Sequence, residues 1–143
     1  MLAGFGNEDA FIDPILSSSY RGRIADAAEF ARRNRVLLIE SPGGVPIDIA
    51  LGGLPFEALA IDRATPYDFE PDCVLTTCSA EDLMVLKLFA FRPRDVLDVE
   101  GIVVRQRGRL DWDYIEAQLT PLAELKGQPD ILRTLARFKR QDE

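Results

Sequence analysis

The sequence contains no histidine. That absence removes a Ser-His-Asp triad, a Cys-His pair and an imidazole-ligated zinc site, leaving acid–base work to Asp, Glu, Lys or Tyr. Cysteine is scarce as well. Two residues, Cys73 and Cys78, build neither a disulfide framework nor a four-thiolate zinc site. Reduced thiols in a cytoplasmic protein are the expectation. No apolar run approaches the roughly 18 residues of a membrane span. The N-terminal stretch Met1-Leu-Ala-Gly-Phe-Gly-Asn-Glu-Asp lacks the basic-then-apolar order of a signal peptide. Bases are outnumbered by acids, 17 against 24, for a net charge of −7. This speaks against the broad basic face of a general nucleic-acid binder, while leaving room for a local pocket for one nucleotide.

What is present suits an α+β fold. A chain of 143 residues with 47% apolar and 29% charged residues can bury one core. The pattern predicts a single domain over 1–143, with an α/β part at 1–78 and a helical part at 79–143. Residues 1–35 give weak signals: Ser17-Ser-Ser and Gly22 read as loop, and Ile24–Arg33 as a short helix with Ala28 and Phe30 inward. Val36-Leu-Leu-Ile39 and Val45–Leu51 read as an antiparallel hairpin around Ser41-Pro-Gly-Gly44. Asp48 then projects opposite to Ile47 and Ile49, although Asp is depleted in strands. A solvent-facing position on a one-sided sheet explains that equally well.

Pro55 opens a short helix through about Ala64, and Tyr67-Asp-Phe and Val74–Thr77 form two further strands. Ser79 reads as an N-cap with Asp82 three residues on. The next helix runs to about Phe91. A following one starts at Pro93, carries Val96, Leu97, Val99, Ile102 and Val103, and stops at Gly108. Asp111 caps a helix with Pro121 near its end, and a last helix spans about Pro129 to Lys139. Gly43-Gly44 and Gly52-Gly53 are turns, not phosphate loops. Asp111 and Asp113 open a helix, where acids offset the dipole.

Between Leu83 and Phe91 every residue is apolar except Lys87. A helix that is apolar all round belongs in an interior, where an ammonium needs a negative partner. Either an acid meets Lys87, or the chain snorkels its amine to water. Arg92, Arg94, Asp95 and Asp98 follow directly. Asp95 and Asp98 lie one turn apart on one face, so with Lys87 and the two arginines they form a ring of mixed charge. Such a ring binds polyanions or pins a helix corner, and spacing alone fits both.

Glu29-Phe-Ala-Arg-Arg-Asn-Arg-Val-Leu-Leu38, Gly44-Val-Pro-Ile-Asp-Ile-Ala-Leu-Gly52 and Leu54-Pro-Phe-Glu57 resemble the later portion of small bacterial nucleotidyltransferase-like proteins, the group that includes the AbiEii-type toxins. Ala80–Lys87 followed by Arg92-Pro-Arg-Asp-Val-Leu-Asp98 is similar to that family's Lys/Arg-Asp motif. The likeness covers most of residues 24–125. It implies a polymerase-β-like nucleotidyltransferase fold with a mixed sheet, incomplete here, followed by a helical extension. It implies Asp48 as one of three metal-binding carboxylates, holding Mg2+ if the protein is active. Lys87 corresponds to the phosphate-reaching lysine, Arg92 and Arg94 to nucleotide-binding positions, and Asp95 and Asp98 to the acidic positions of the following helix. Asp48, Lys87, Asp95 and Asp98 are thus the implied catalytic set, with a nucleoside triphosphate as ligand.

The family's Gly-Ser and Asp-x-Asp motifs precede the Glu-Phe-Ala-Arg segment, and the 28 residues before Glu29 do not contain them. One carboxylate out of three does not hold an octahedral ion. The expectation is a chain that began late, or decayed, and that does not catalyse transfer by itself. A missing strand would expose a sheet edge and favour a protein partner or a homodimer. The alternative is a non-enzymatic interaction module, with a toxin–antitoxin connection.

Overall fold

Alternation in Val36-Leu-Leu-Ile-Glu40 puts Leu37 and Ile39 on one side of a strand, and both are buried. The computed structural model describes residues 2–142. Their order is α1 (Asp9–Leu16), β1 (Arg21–Gly22), α2 (Ala27–Asn34), β2 (Val36–Glu40), β3 (Pro46–Ala50), α3 (Pro55–Asp62), β4 (Thr65–Glu70) and β5 (Cys73–Thr77). Four helices follow, α4 (Ala80–Ala90), α5 (Pro93–Gln106), α6 (Trp112–Lys126) and α7 (Asp130–Asp142). The fold is α+β with a helical C-terminal half. It divides into two compact units, Met1–Leu59 and Ala60–Glu143. Among the described residues no helix is long and apolar enough to cross a membrane.

In the first unit β1, β2 and β3 form an antiparallel sheet in that order. The β2–β3 hairpin runs from Val36 opposite Ala50 to Glu40 opposite Pro46. Its turn closes with Gly44 at φ 78°, a left-handed value that glycine adopts freely. β3 is an edge strand, so the donor missing at Pro46 is tolerated. The resemblance implies a mixed sheet. Here the strands pair antiparallel, and the one parallel pairing among the described residues is an isolated bridge from Leu2 to Gly52.

Leu37, Ile39 and Leu51 form the core with Ala3, Ile12, Ala27 and Ala31. The predicted helix at 24–33 starts later, at Ala27, and turns Ala27 and Ala31 inward where Ala28 and Phe30 were expected. Gly22 explains the shift. A side chain there would come within 2.6 Å of the Ala27 Cβ, so the strand and the helix touch through their smallest residues. Helix α1 was not foreseen, because Pro14 lies inside it. Burial of Ile12 outweighs the hydrogen bond that Pro14 cannot make.

In the second unit α4 packs against α5, α6 and α7, with Met84, Val85 and Leu88 fully buried. The Ser79 hydroxyl accepts from the Asp82 N–H, as the capping pattern requires. Lys126 at the end of α6 donates to the carbonyls of Phe89 (2.6 Å) and Ala90 (3.1 Å), satisfying the last turn of α4. On α5, Val99, Ile102 and Val103 are buried, and Leu97 is exposed. A 14-residue helix seated by one stripe leaves its opposite face outside. Helix α6 continues through Pro121 to Lys126, since Leu122 and Ala123 beyond the proline are buried. At the far end Asp142 accepts from the Gly108 N–H (3.1 Å) and the Trp112 indole N–H (2.9 Å).

Candidate functional site

Two features of the sequence bring the charged residues of the second unit together. Helix α4 stops at Phe91, whose left-handed φ of 57° turns the chain, and Pro93 starts α5 immediately. The last turn of α4 therefore faces the first turns of α5. Lys87 Nζ lies 2.7 Å from Asp98 Oδ2 and 3.4 Å from Asp95 Oδ1. Arg92 closes the other side, its Nε 2.5 Å and its Nη2 3.1 Å from the Asp95 carboxylate. The Arg92 backbone N–H also donates to Asp95 Oδ2 at 3.2 Å.

Asp95 is the centre of this corner and is only 1% exposed. A carboxylate so placed stays ionised only if cations meet it. The Arg92 guanidinium first, then its backbone N–H and the Lys87 amine, hold the Asp95 carboxyl at about 2 against an ordinary 3.8, although burial pulls the other way. The Lys87 amine is held above its usual value, chiefly by its hydrogen bond to Asp98. Arg92 is likewise raised, by Asp95. Lys87 thus meets acids, and its amine remains partly open to solvent at 29% side-chain exposure.

A depressed folded-state value ties stability to pH with a definite sign. Asp95 contributes stability above the ordinary carboxyl value, and loses that contribution as pH falls from about 4 towards about 2. Denaturant titrations across that window should therefore show falling stability. An Asp95→Asn variant should fall less steeply.

Of the six residues singled out from sequence, the structure brings together Lys87, Arg92, Asp95 and Asp98. Arg94 is exposed and makes no side-chain ion pair among the described residues. Asp48 belongs to the first unit, on the exposed face of β3 opposite to Ile47 and Ile49, where it ion-pairs with Arg23.

The carboxylates do not fit a divalent ion. Asp48 has a guanidinium as its counter-ion, and Asp95 and Asp98 share the Lys87 ammonium. Among the described residues no three Asp, Glu, Cys or His side chains converge as a metal needs.

A second charged cluster in the same unit has no forerunner in the sequence reading. Asp82, fully buried, accepts from the Tyr114 hydroxyl (2.5 Å), the Ser79 hydroxyl (2.9 Å) and Arg63 Nε (3.3 Å). The Arg63 guanidinium also stacks over the Tyr114 ring at 4.2 Å. Burial, and then the bond to Asp82, pushes the Tyr114 phenol up to about 12. Both oxygens of the carboxylate accept, Oδ1 from Tyr114 and Oδ2 from Ser79 and Arg63, so the cluster fastens α4 to α6. The cysteines are free thiols, and burial pushes Cys78 up, away from the reactive thiolate.

No protein-family model matches the chain, and no curated protein matches it.

Proposed function

We propose that this chain is a nucleotidyltransferase-like protein that does not transfer nucleotides by itself. The observation that carries the reading is the corner on α4 and α5. Its order, Lys-x4-Arg-x-Arg-Asp-x-x-Asp, belongs to the resemblance, and Lys87, Arg92, Asp95 and Asp98 of that order meet in space. The same corner supports the loss of chemistry, because the amine suited to a phosphate is shared by two carboxylates. Arg94, and the outer edge of Arg92 at 74% side-chain exposure, are the cations left open to an anion. A cytoplasmic location goes with this reading, and the free thiols support it.

The test uses the purified chain with Mg2+ and a labelled nucleoside triphosphate, beside a Lys87→Ala variant. Weak binding without transfer is expected. Lys87→Ala should weaken that binding by about tenfold while costing about 1–2 kcal/mol of stability, the amine being partly solvated. Strong Mg2+-dependent labelling of RNA or protein would overturn the reading. A large fall in melting temperature with no nucleotide binding in either protein would assign the corner to structure alone.

That last outcome would favour a second reading, a protein-interaction module. The specific observation behind it is the β4–β5 hairpin, whose Tyr67, Phe69, Val74 and Leu75 are all exposed.

A further inference from the structure

The hairpin has two edges of different chemistry. β4 and β5 make a two-stranded antiparallel sheet, so among the described strands both outer edges are unpaired. The β4 edge is guarded. It carries Pro66, which has no N–H, the charges of Asp68 and Glu70, and a register shift between those two acids. These are the devices that keep a strand edge from pairing. β5 has none of them. Cys73-Val-Leu-Thr-Thr77 is uncharged, rich in β-branched residues, in regular register and free of proline and glycine. Two strands alone are marginal in water, and a third would complete the smallest stable sheet.

Charge selects the occupant. Thr65–Thr77 contains Asp68, Glu70 and Asp72 and no lysine or arginine. A second copy of the chain would bring the same three acids and a further net charge of −7. A basic strand would complement them. The cross-strand pairs set its pattern. Tyr67 lies opposite Leu75 on one face, and Asp68 lies opposite Val74 on the other. A strand beside β5 therefore meets Leu75 with alternate residues. Its other residues send their side chains across Val74 towards Asp68, two strands or about 10 Å away. Aliphatic residues suit the first set, and the long stems and charged ends of Lys or Arg suit the second.

We propose that the β5 edge takes up an extended segment of another protein, alternating aliphatic with Lys or Arg residues, as a third strand of this sheet. The inference rests on the interaction reading and deepens it.

The experiment measures binding of a labelled synthetic peptide of alternating valine and lysine to the full chain, by fluorescence anisotropy at low and moderate salt. A valine–glutamate peptide is the control. The basic peptide should bind, and the acidic one should not. Thr76→Pro, which keeps every charge but blocks the edge, should weaken binding by about tenfold or more. Asp68→Asn should weaken it less and flatten its salt dependence. Leu75→Lys serves as a second edge variant and should also lose the peptide, so the result does not hang on one proline. Equal binding by wild type and both edge variants, equal binding of the two control peptides, or no binding at all would overturn the inference. So would a homodimer that excludes the peptide and is abolished by Thr76→Pro, since the occupant would then be a second copy. The broader interaction reading is judged separately by the nucleotide titration of wild type and Lys87→Ala, so the two can fail independently.

Discussion

Replacing Asp82 with alanine should cost the protein about 3–5 kcal/mol, the largest effect expected of any single substitution at a charged residue. The carboxylate is fully buried, and three donors end on it, from Tyr114, Ser79 and Arg63. Alanine leaves the half-buried Tyr114 hydroxyl without its acceptor and removes the counter-charge from Arg63. It also leaves a void at a fully buried position. Asparagine keeps an acceptor and nearly the same volume, so Asp82→Asn should cost less, about 1–3 kcal/mol. Urea denaturation of the three proteins orders them directly. A loss below about 1 kcal/mol for Asp82→Ala would mean that Tyr114 and Arg63 find water easily, and that the cluster is not what fastens α4 to α6.

Asp95→Ala should come second, at about 3 kcal/mol. Here the acid is also buried, and its cations are partly solvated, as Arg63 is at 41% side-chain exposure: the Lys87 side chain is 29% exposed and that of Arg92 74%. Both can turn to water, and Asp98 remains to hold Lys87, so the penalty is smaller than at Asp82. The substitution also removes the acceptor for the Arg92 backbone N–H, an N-terminal hydrogen bond worth about 1 kcal/mol. A double-mutant cycle with Lys87→Met isolates the ion pair. Asp95→Ala should cost less by about 1 kcal/mol when the amine is already gone. Additive losses would show that Asp95 acts through Arg92 and the helix cap alone.

The corner was legible in the sequence because its parts are local. An apolar stretch with one lysine, a proline two residues past Phe91 and two acids one turn apart can be read along a single line. The β2–β3 hairpin was legible for the same reason, with four turn residues between two alternating runs. The Asp82 cluster was not. Ser79 and Asp82 have the spacing of a capping box, which hid the more demanding role of the acid. Its other partners lie 19 and 32 residues away, at Arg63 and Tyr114, and nothing in their neighbourhoods announces them. Helix α1 was concealed by Pro14, and the inward places of α2 by a strand–helix contact that only Gly22 allows. Which apolar stripe of α5 is covered was left open, and Leu97 lies outside it, because periodicity picks out apolar residues without saying what packs on them.

The tie between Asp142 and Trp112 gives this protein an optical property. The chain has one tryptophan, half-buried, and its ring nitrogen is anchored by the last turn of the final helix. Ultraviolet emission excited at the indole band therefore comes from a single place. It tracks whether that terminal turn is seated, so fraying there changes the colour of the signal before the four-helix body opens.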